Sequence, residues 1–320
     1  MSNCIRVGEH GGPEVLKFEP HEVGAPGPKE ARVRQTAIGL NYIDIYFRTG
    51  LYPPPNLPFI PGMEGAGVVE AIGDSVTEVE VGQRVGYAGA LGAYAEVRLL
   101  PAARLVPLSG SVSDEQAAAM MLKGMTAQYL LRQTYRVKAG ETILWHAAAG
   151  GVGLIACQWA KHLGVMVIGT VGSEEKADLA RRNGCEHVIL YREENFVDRV
   201  REITGGEGVP VVYDSVGKAT FMQSLDCLKP RGLMVSFGNA SGAVDAFNLG
   251  TLSQKGSLYV TRPTLVNYTS QRSDLLECAG ELMDVVGSRA VNISINQNFA
   301  LKDAAEAHKA LEGRATTGST

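Results

Sequence analysis

Short apolar runs broken by glycine and proline dominate the first third of the chain. From Met1 to about Pro107 these runs include ARVRQTAIGL, AGVVEAIG, QRVGYAG and AYAEVRLL, a pattern typical of strands separated by tight turns. The pattern changes at Ser113, where Ser113 and Gln116 have the spacing of a capping box before a long apolar stretch. The sequence therefore predicts a mostly β, barrel-like domain followed by a long helix.

Beyond this helix, apolar strand-like runs alternate with amphipathic helical runs. The series begins TILWHAA, GLIACQWAKHLG, VMVIGTV, EEKADLARRNG and continues through ATFMQSLDCLKP to SLYVT. Repeated βα units predict an α/β fold with a parallel sheet covered on both faces. Gly164, Gly184 and Pro230 fall just past three predicted helices, where helix stops are common. From about Ser270 the pattern shifts to a helix, a short β run (VNISI) and a last helix.

Length, charge and cysteine usage narrow the functional classes. A chain of 320 residues fits two domains. Its net charge is −4 and its lysines and arginines are dispersed, so we do not expect nucleic acid as a partner. Five widely spaced cysteines fit neither a disulfide framework nor a metal cluster. With no long apolar run and no leader-like segment, we expect a cytoplasmic protein that does not contact a membrane.

A glycine-rich turn lies between the strand TILWH and the helix LIACQWAKHLG. In AAAGGVG, Ala148, Gly150 and Gly153 have the spacing of G-x-G-x-x-G, with alanine in the first place. Glycine at the second place lets the backbone approach a pyrophosphate, and the helix N-terminus offers free N–H groups. The turn therefore predicts a dinucleotide site. The alternative is a strand-to-helix turn without a ligand, which the further βα repeats disfavour.

The end of the next strand bears on the choice between the two nicotinamide cofactors. NAD enzymes usually place an acidic residue there for the ribose 2′-hydroxyl, whereas this chain has Gly172 followed by Ser173. Glycine leaves room for a 2′-phosphate, to which Ser173 could donate a hydrogen bond and Lys176 could supply charge. NADPH is therefore the expected cofactor. Glu174 and Glu175 oppose this but suit the first turn of a helix. Alternatively, Ser173 only caps that helix and Lys176 is a solvated surface residue.

Several segments together resemble the zeta-crystallin-like quinone oxidoreductases of the medium-chain dehydrogenase/reductase superfamily. They are GLNYIDIYFRTG, LPFIPGMEGAGVVEAIG, LKGMTAQYLL, HAAAGGVGLIACQWAK, VVYDSVG, TRPTL and the closing EGRATTGS. The resemblance implies a GroES-like catalytic domain from residues 1–124 and 265–320, and a Rossmann domain from residues 125–264. It also implies an active site in the cleft between the domains, and a homodimer.

The same resemblance implies a set of site residues. Asn41 and Tyr46 would lie at the nicotinamide as the catalytic pair. The cofactor contacts would come from Asn41, Tyr46, Thr126, Tyr129, Gly150, Gly151, Val152, Gly172, Ser173, Lys176, Tyr191, Ser215, Phe237, Gly238, Asn239, Val260, Arg262 and Arg314. Ser215, Phe237, Gly238, Asn239, Val260 and Arg262 are expected after strand ends, on the ligand-binding edge of the sheet. For each residue alone, the alternative is a turn, edge or surface role.

Asn41 and Tyr46 share the segment NYIDIY. In a helix they would not lie on one face, whereas Asn41 would pair with Asp44 or Ile45. We expect Asn41 to donate to a quinone oxygen as negative charge develops, and Tyr46 to hold the carboxamide or substrate. Neither need act as a general acid. The alternative is that Asn41 is a helix cap and Tyr46 a packing aromatic.

Zinc is not expected, because the family's metal-ligand positions hold other residues. The G-H-E of the zinc enzymes appears as Gly62-Met63-Glu64, and the early cysteine position appears as Asn41. Without a Lewis acid, hydride transfer suits an already electrophilic quinone or activated enone. The expected function is therefore an NADPH:quinone oxidoreductase. Alternatives are a 2-enoyl thioester or alkenal reductase, and a nucleotide-binding structural or RNA-binding zeta-crystallin-like protein.

Overall fold

The chain is represented by a computed structural model that describes residues 2–313 and 315–320. The described residues form two compact units. The first unit comprises Met1–Met125, Thr269–Gly287 and Ile293–Thr320, and the second comprises Thr126–Tyr268 with Ser288–Asn292. Both chain ends therefore belong to the first unit.

The first unit begins with strands, as its broken apolar runs predict. In chain order the elements are β1 (Ser2–Val7), β2 (Leu16–His21), β3 (Glu30–Ile38), α1 (Tyr42–Thr49), β4 (Glu64–Ile72), β5 (Arg84–Ala88), β6 (Val97–Pro101), β7 (Val106–Pro107) and α2 (Asp114–Tyr129). The predicted capping box of α2 is present, because Ser113 N donates to Gln116 Oε1 at 3.1 Å and Gln116 N donates to Ser113 Oγ at 3.2 Å.

Antiparallel pairing organises these strands. Five of them form a sheet in the order β6-β3-β4-β5-β7, and β1 pairs with β2. Alternate residues of the sheet point to a core that contains Val33, Val69, Val85, Tyr87 and Leu100. The mostly β character predicted for this part of the chain is confirmed. The sheet also fixes the end of β3 and the start of β4, next to which the buried polar residues of the first unit lie.

The second unit alternates strands and helices. Its elements are β8 (Thr142–His146), α3 (Gly151–His162), β9 (Met166–Val171), α4 (Glu174–Arg182), β10 (His187–Leu190), α5 (Phe196–Ile203), β11 (Val209–Asp214), α6 (Phe221–Ser224), β12 (Leu228–Ser236), α7 (Gly250–Gln254), β13 (Tyr259–Thr261) and α8 (Leu265–Tyr268). The strands are parallel, in the order β10-β9-β8-β11-β12-β13. This is the order of a doubly wound dinucleotide-binding sheet, so the predicted Rossmann fold is confirmed.

Two helices of the first unit follow, α9 (Arg272–Gly287) and α10 (Ala304–Glu312). Within the described residues, the predicted strand VNISI is only an isolated bridge between Ile295 and Ser319. The peptide group of Asn292 is occupied by a side chain, since Asn292 N donates to Gln158 Oε1 at 2.9 Å and Gln158 Nε2 donates to Asn292 O at 3.2 Å. The prediction of a strand at VNISI was therefore wrong.

Helix stops were predicted with mixed success. Gly164 and Gly184 follow α3 and α4 with positive φ angles of 75° and 105°, a conformation that suits glycine at a helix end. Pro230 instead lies inside β12. The stretch ATFMQSLDCLKP forms only the short α6 and one 3₁₀ turn before β12 begins, because Leu228 is buried at the start of the strand, beside Val209 of β11.

Candidate functional site

The glycine-rich turn of the second unit connects β8 to α3. Ala147 adopts a positive φ of 55°, Gly150 precedes the first residue of α3, and the first helical bond runs from Leu154 N to Gly150 O at 2.9 Å. The N–H groups of the first helical turn therefore lack acceptors within the helix. A Cβ on Gly153 would lie 2.5 Å from Ala147 O, so glycine is needed where the helix meets the turn. The turn has the geometry of a phosphate cradle.

Gly172 and Tyr191 lie next to each other at the ends of two neighbouring strands. Val171 and Leu190 are in register as the last residues of β9 and β10. A Cβ on Gly172 would lie 2.7 Å from Tyr191 Oη. The tyrosine side chain is partly exposed. The two predicted cofactor residues are thus in close contact at this edge of the sheet, and a side chain at position 172 would displace the ring of Tyr191.

Ser173 caps α4, because its Oγ accepts from Lys176 N at 3.4 Å. The alternative interpretation of Ser173 as a helix cap therefore has structural support. A hydroxyl that accepts one hydrogen bond still carries a hydrogen to donate, so the cap and a phosphate contact are compatible. Glu174 and Glu175 are exposed, and Glu174 pairs with Arg181 at 3.7 Å. This agrees with the expectation that both acids suit the first helical turn.

The loops after β11 and β12 contact each other. Asp214, buried at the end of β11, accepts from Val216 N at 2.7 Å, from Gly217 N at 3.0 Å and from Thr220 Oγ1 at 2.7 Å. These bonds fix the turn that contains Ser215. A Cβ on Gly238 would lie 2.5 Å from Ser215 O, so glycine allows the two loops to meet. Sequence reasoning did not single out Asp214, although the segment VVYDSVG contains it.

The remaining predicted residues of this sheet lie at or near its carboxyl edge. Phe237 N donates to Asp214 O at 2.8 Å, and its ring lies 5.5 Å from that of Trp145. Arg262 directly follows β13, and its Nη1 donates to Ser236 O at 2.8 Å. Val260 was predicted to follow a strand end but lies inside β13, in register with Met234. The prediction placed the end of this strand two residues too early, because β13 continues to Thr261.

Two further predicted residues lie in the last turn of α2, which already belongs to the second unit. Thr126 is half-buried. Tyr129 is buried, and its ring stacks on that of Tyr268 with a centroid distance of 4.5 Å and an interplanar angle of 17°. The ring of Tyr129 thus has a packing partner within the second unit. Asn239 lies in the loop after β12, where its carbonyl accepts from Gly242 N at 3.0 Å. Arg314 lies outside the described residues.

In the first unit, Asn41 directly precedes α1 and is buried. Its backbone N–H donates to Asp44 Oδ2 at 2.8 Å, as the predicted spacing of the pair allows. Its side-chain Nδ2 donates instead to Glu64 Oε2 at 2.8 Å. Asn41 is the N-cap residue of α1 and forms a capping box with Asp44, so the helix-cap alternative has structural support.

Glu64 is a second buried carboxylate that sequence reasoning did not assign to the site. Its Oε1 accepts from Leu122 N at 2.6 Å, and its Oε2 accepts from Lys123 Nζ at 3.3 Å as well as from Asn41. Lys123 Nζ also donates to Leu40 O at 3.2 Å. The available signals were a single charged residue in each of the apolar segments GMEGAGVV and MMLKGM, because buried charges need partners.

A chain of buried polar groups continues from Asp44 to the C-terminal helix. Tyr94 Oη donates to Asp44 Oδ2 at 3.2 Å and lies 3.0 Å from His308 Nε2, and Arg48 Nη1 lies 3.0 Å from His308 Nδ1. Since a guanidinium only donates, His308 accepts at Nδ1 and carries its hydrogen at Nε2. Arg48 also pairs with Glu312 at 2.6 Å.

Burial shifts the titration of this chain of groups. Burial raises the pKa of the Asp44 carboxyl to about 7, although hydrogen bonds from Asn41 and Tyr94 oppose the shift. Burial, together with the charge of Arg48, lowers the pKa of His308 to about 3. Within the described part of the chain, Asp44 Oδ1 is buried without a hydrogen-bond partner. This is the oxygen on which a proton of Asp44 would reside.

Tyr46 lies in the middle of α1 within an aromatic group. Its ring meets that of Tyr52 edge to face at a centroid distance of 5.1 Å and lies 6.4 Å from that of Tyr42. Tyr52 N also donates to Tyr46 O at 3.0 Å. These contacts support the packing alternative for the ring, while the role of the hydroxyl stays a prediction. Tyr52 was missed in the sequence because only the fold brings it against Tyr46.

Residues 2–313 and 315–320 contain no group of three or more His, Cys, Asp and Glu residues placed to hold a metal ion. None of the helices described in this chain is long and apolar enough to cross a membrane.

Comparison with known proteins assigns both units to described families. Residues 27–110 match the alcohol dehydrogenase GroES-like domain, and residues 151–281 match the zinc-binding dehydrogenase family. A quinone oxidoreductase of Pseudomonas aeruginosa is 58% identical over 100% of this chain and 99% of its own. A 2-haloacrylate reductase of a Burkholderia species is 48% identical over 98% of this chain and 96% of its own.

A solved structure extends this comparison to the cofactor. The crystal structure of Escherichia coli quinone oxidoreductase complexed with NADPH superposes with a TM-score of 0.98 at 53% identity, covering 99% of this chain and 98% of that one. The fold and both units therefore have close counterparts among known proteins.

Proposed function

The chain belongs to the quinone oxidoreductases of the medium-chain dehydrogenase/reductase superfamily, and from this premise we propose that it transfers hydride from NADPH to a quinone or activated enone. One observation of the structure carries the proposal. The glycine-rich turn after β8 and Gly172 after β9 both lie at the carboxyl edge of one doubly wound sheet, where dinucleotides bind in this fold.

The second unit fits a phosphorylated dinucleotide. At Gly153 and Gly172, added Cβ atoms would meet backbone or side-chain oxygens, so the space beside the turn depends on glycine. The first-turn N–H groups of Gly151 and Val152 would bind the pyrophosphate, and Ser173 and Lys176 would bind the 2′-phosphate. When bound, NADPH supplies the hydride that an electrophilic acceptor takes up.

The first unit supplies groups suited to the acceptor. Negative charge develops on the acceptor oxygen as hydride arrives, and a fixed amide N–H stabilises such charge. Asn41 has a second Nδ2 hydrogen besides the one directed at Glu64. We assign this hydrogen to the acceptor oxygen, and the hydroxyl and ring of Tyr46 to holding the substrate or carboxamide.

Quinone-dependent oxidation of NADPH by the purified protein tests this proposal. We expect turnover with a simple benzoquinone and little turnover with a primary alcohol and NADP⁺. Cofactor binding without turnover on any acceptor would contradict the proposal and favour the nucleotide-binding structural or RNA-binding alternative.

The similarity to a 2-haloacrylate reductase favours one second candidate function. That relative covers 98% of this chain, and reduction of an activated alkene uses the same hydride donor as reduction of a quinone. A panel of quinones, haloacrylates, alkenals and enoyl thioesters, each assayed with NADPH, separates the candidates by kcat/KM. The highest value for an alkene substrate would shift the assignment to the reductase alternatives.

We also propose that the protein is a cytoplasmic homodimer. The edge strand β13 carries Tyr259, which is 62% exposed, and exposed strand edges are common sites of pairing between identical chains. All five cysteines are buried free thiols, which suits a reducing compartment. Light scattering should give twice the mass of one chain, and Tyr259→Lys should shift the protein towards the monomer.

A further inference from the structure

Asn41 contacts a buried ion pair that Glu64 and Lys123 form. Glu64 is fully buried, and the side chain of Lys123 is 8% exposed. Burying two charges costs several kcal/mol per ion unless their hydrogen-bonding groups are satisfied. Here the carboxylate of Glu64 accepts three hydrogen bonds, from Asn41, Leu122 and Lys123. Beyond the pair itself, its contacts therefore reach Leu40 and Asn41 before α1, and the backbone of α2 at Leu122.

The ion pair restrains Asn41 at two points. A carboxylate can only accept hydrogen bonds, so the amide nitrogen of Asn41, and not its oxygen, must face Glu64. Lys123 holds the preceding residue, because its ammonium donates to Leu40 O at 3.2 Å. Both the backbone before Asn41 and the orientation of its amide thus depend on the same pair of charges.

The local backbone is shaped to bring the carboxylate close. A Cβ on Gly39 would overlap Glu64 Oε2 and the carbonyl of Ala118, and Gly39 N donates to Glu64 O at 3.1 Å. A side chain at position 39 would therefore displace Glu64 from Asn41.

We propose that Glu64 and Lys123 are positioning residues, which orient the Asn41 amide towards the acceptor and keep its surroundings electrically neutral. The proposal rests on the function proposed above, through the role of Asn41. Alone, the negative charge of Glu64 would oppose the negative charge that develops on the acceptor oxygen, because like charges repel strongly in a buried site. Lys123 offsets this charge while leaving the carboxylate able to hold the amide.

A double-mutant cycle tests whether Glu64 acts through Asn41. We expect Glu64→Gln to lower kcat by about tenfold, the usual cost of disturbing one hydrogen bond in a transition state, while the Kd for NADPH stays unchanged. In an Asn41→Ala background, the same substitution should cause little further loss, because the group that it orients is already absent. Losses that multiply in the double variant would overturn the proposal, and so would an unchanged kcat in folded Glu64→Gln.

A second set of variants tests the charge balance between Glu64 and Lys123. Their melting temperatures show whether each variant is folded. Lys123→Met leaves Glu64 buried without its counter-ion, so we expect a lower kcat and a lower melting temperature. The neutral double variant Glu64→Gln/Lys123→Met should recover both relative to Lys123→Met. A double variant no better in kcat than Lys123→Met would contradict the electrostatic part of the proposal. Asp114→Asn, which removes a charge from another ion pair of the same unit, serves as the control and should leave kcat unchanged.

Hydrogen exchange of the Asn41 side-chain amide, a measurement that needs no turnover, separates this inference from the proposed function. In protein labelled with ¹⁵N asparagine, Asn41→Ala identifies the side-chain amide signal of Asn41. We expect its hydrogens to exchange slowly in the original chain and at least severalfold faster in Glu64→Gln and Lys123→Met. Unchanged exchange would overturn the positioning role even if quinone reduction is found, whereas faster exchange without quinone reduction would contradict only the proposed function.

Discussion

At the scale of single residues, the side chain of Asn41 has one hydrogen bond that is already committed. Its Nδ2 donates to a buried carboxylate, so only its second amide hydrogen can meet a substrate oxygen. Tyr46 differs, because its ring packs against Tyr52 while its hydroxyl is not part of that ring contact. The two predicted catalytic residues therefore should respond differently to substitution.

Substitution of each residue tests this difference. We expect Asn41→Ala to lower kcat/KM by about tenfold to a hundredfold, the range for losing one hydrogen bond worth about 1–3 kcal/mol. Tyr46→Phe keeps the ring contact and should retain substantial turnover. Steady-state kinetics with melting temperatures decide the matter. Unchanged kcat/KM in Asn41→Ala removes this residue from the site, and abolished turnover in folded Tyr46→Phe would make Tyr46 the proton donor.

We also expect single residues to determine the choice of cofactor. We expect NADPH to bind more tightly than NADH, and Lys176→Ala to weaken NADPH binding by about tenfold, because a charge-assisted contact is worth about 1–3 kcal/mol. Titration of both cofactors measures this effect. Lys161→Ala removes an exposed lysine from the second unit and serves as the control. Equal affinities of the unsubstituted protein for NADPH and NADH would refute the assignment.

At the scale of elements, the sequence predicted those whose signals are local. The capping box before α2 and the glycines after α3 and α4 act through neighbouring residues, and each was located correctly. Elements decided by distant partners were mispredicted. Leu228 belongs to β12 because of β11, and VNISI lacks a ladder because Gln158 occupies the peptide group at its start. The pairing of Glu64 with Lys123 also could not be predicted from a local pattern, since 59 residues separate the two along the chain.

The join between β8 and α3 gives a test at this scale. Gly153→Ala would place a Cβ 2.5 Å from Ala147 O and 2.6 Å from Ala148 O, so we expect a lower melting temperature and weaker NADPH binding. Gly280→Ala on α9 meets nothing within 4 Å. It should stabilise the protein by up to about 1 kcal/mol through helix propensity. A Gly153→Ala variant as stable as the unsubstituted chain would show that the turn can relax.

At the scale of the whole molecule, the doubly wound sheet was predictable because βα alternation is a strong and repeated signal. Periodicity alone did not show that the C-terminal helices α9 and α10 belong with the N-terminal strands. Their place follows from tertiary contacts such as Arg272 Nη1 of α9 to Leu105 O at 2.9 Å and Arg48 Nη1 of α1 to His308 Nδ1 of α10 at 3.0 Å. The resemblance to a known family, and not periodicity, was the reason to expect both chain ends in one domain.

Metal content is a second property of the whole protein. Position 63 is a buried methionine and position 41 an asparagine, and neither a thioether nor an amide replaces imidazole or thiolate as a zinc ligand. We expect elemental analysis of active protein to find substoichiometric zinc, and a chelator to leave the rate unchanged. Stoichiometric zinc that rises and falls with activity would contradict this prediction.

The dependence of stability on pH combines buried groups that act in opposite directions. Burial lowers the pKa of His308 to about 3 and also lowers the pKa of His146. Unfolding therefore takes up protons at these histidines, so their contribution to stability falls as the pH drops below about 6.5, the pKa of an unfolded histidine. The pKa of Asp44 is raised to about 7. Its folded form binds the additional proton between pH about 4 and 7, so Asp44 adds stability as the pH falls through that window.

Asp44 thus offsets part of the loss of stability in acid that the two histidines cause. The variant Asp44→Asn should therefore lose more stability in acid than the original chain. The asparagine is neutral at every pH and nearly the same size, so the variant loses the compensating proton but keeps the side-chain volume. We expect its free energy of unfolding to fall more steeply than that of the original chain between pH 6.5 and 5, by up to about 1.4 kcal/mol per pH unit for one proton. Urea unfolding at a series of pH values measures both slopes. Parallel slopes would mean that Asp44 is ionised in the folded protein across this range, and that its carboxylate is stabilised by Tyr94 and the N–H of Asn41 more strongly than burial destabilises it.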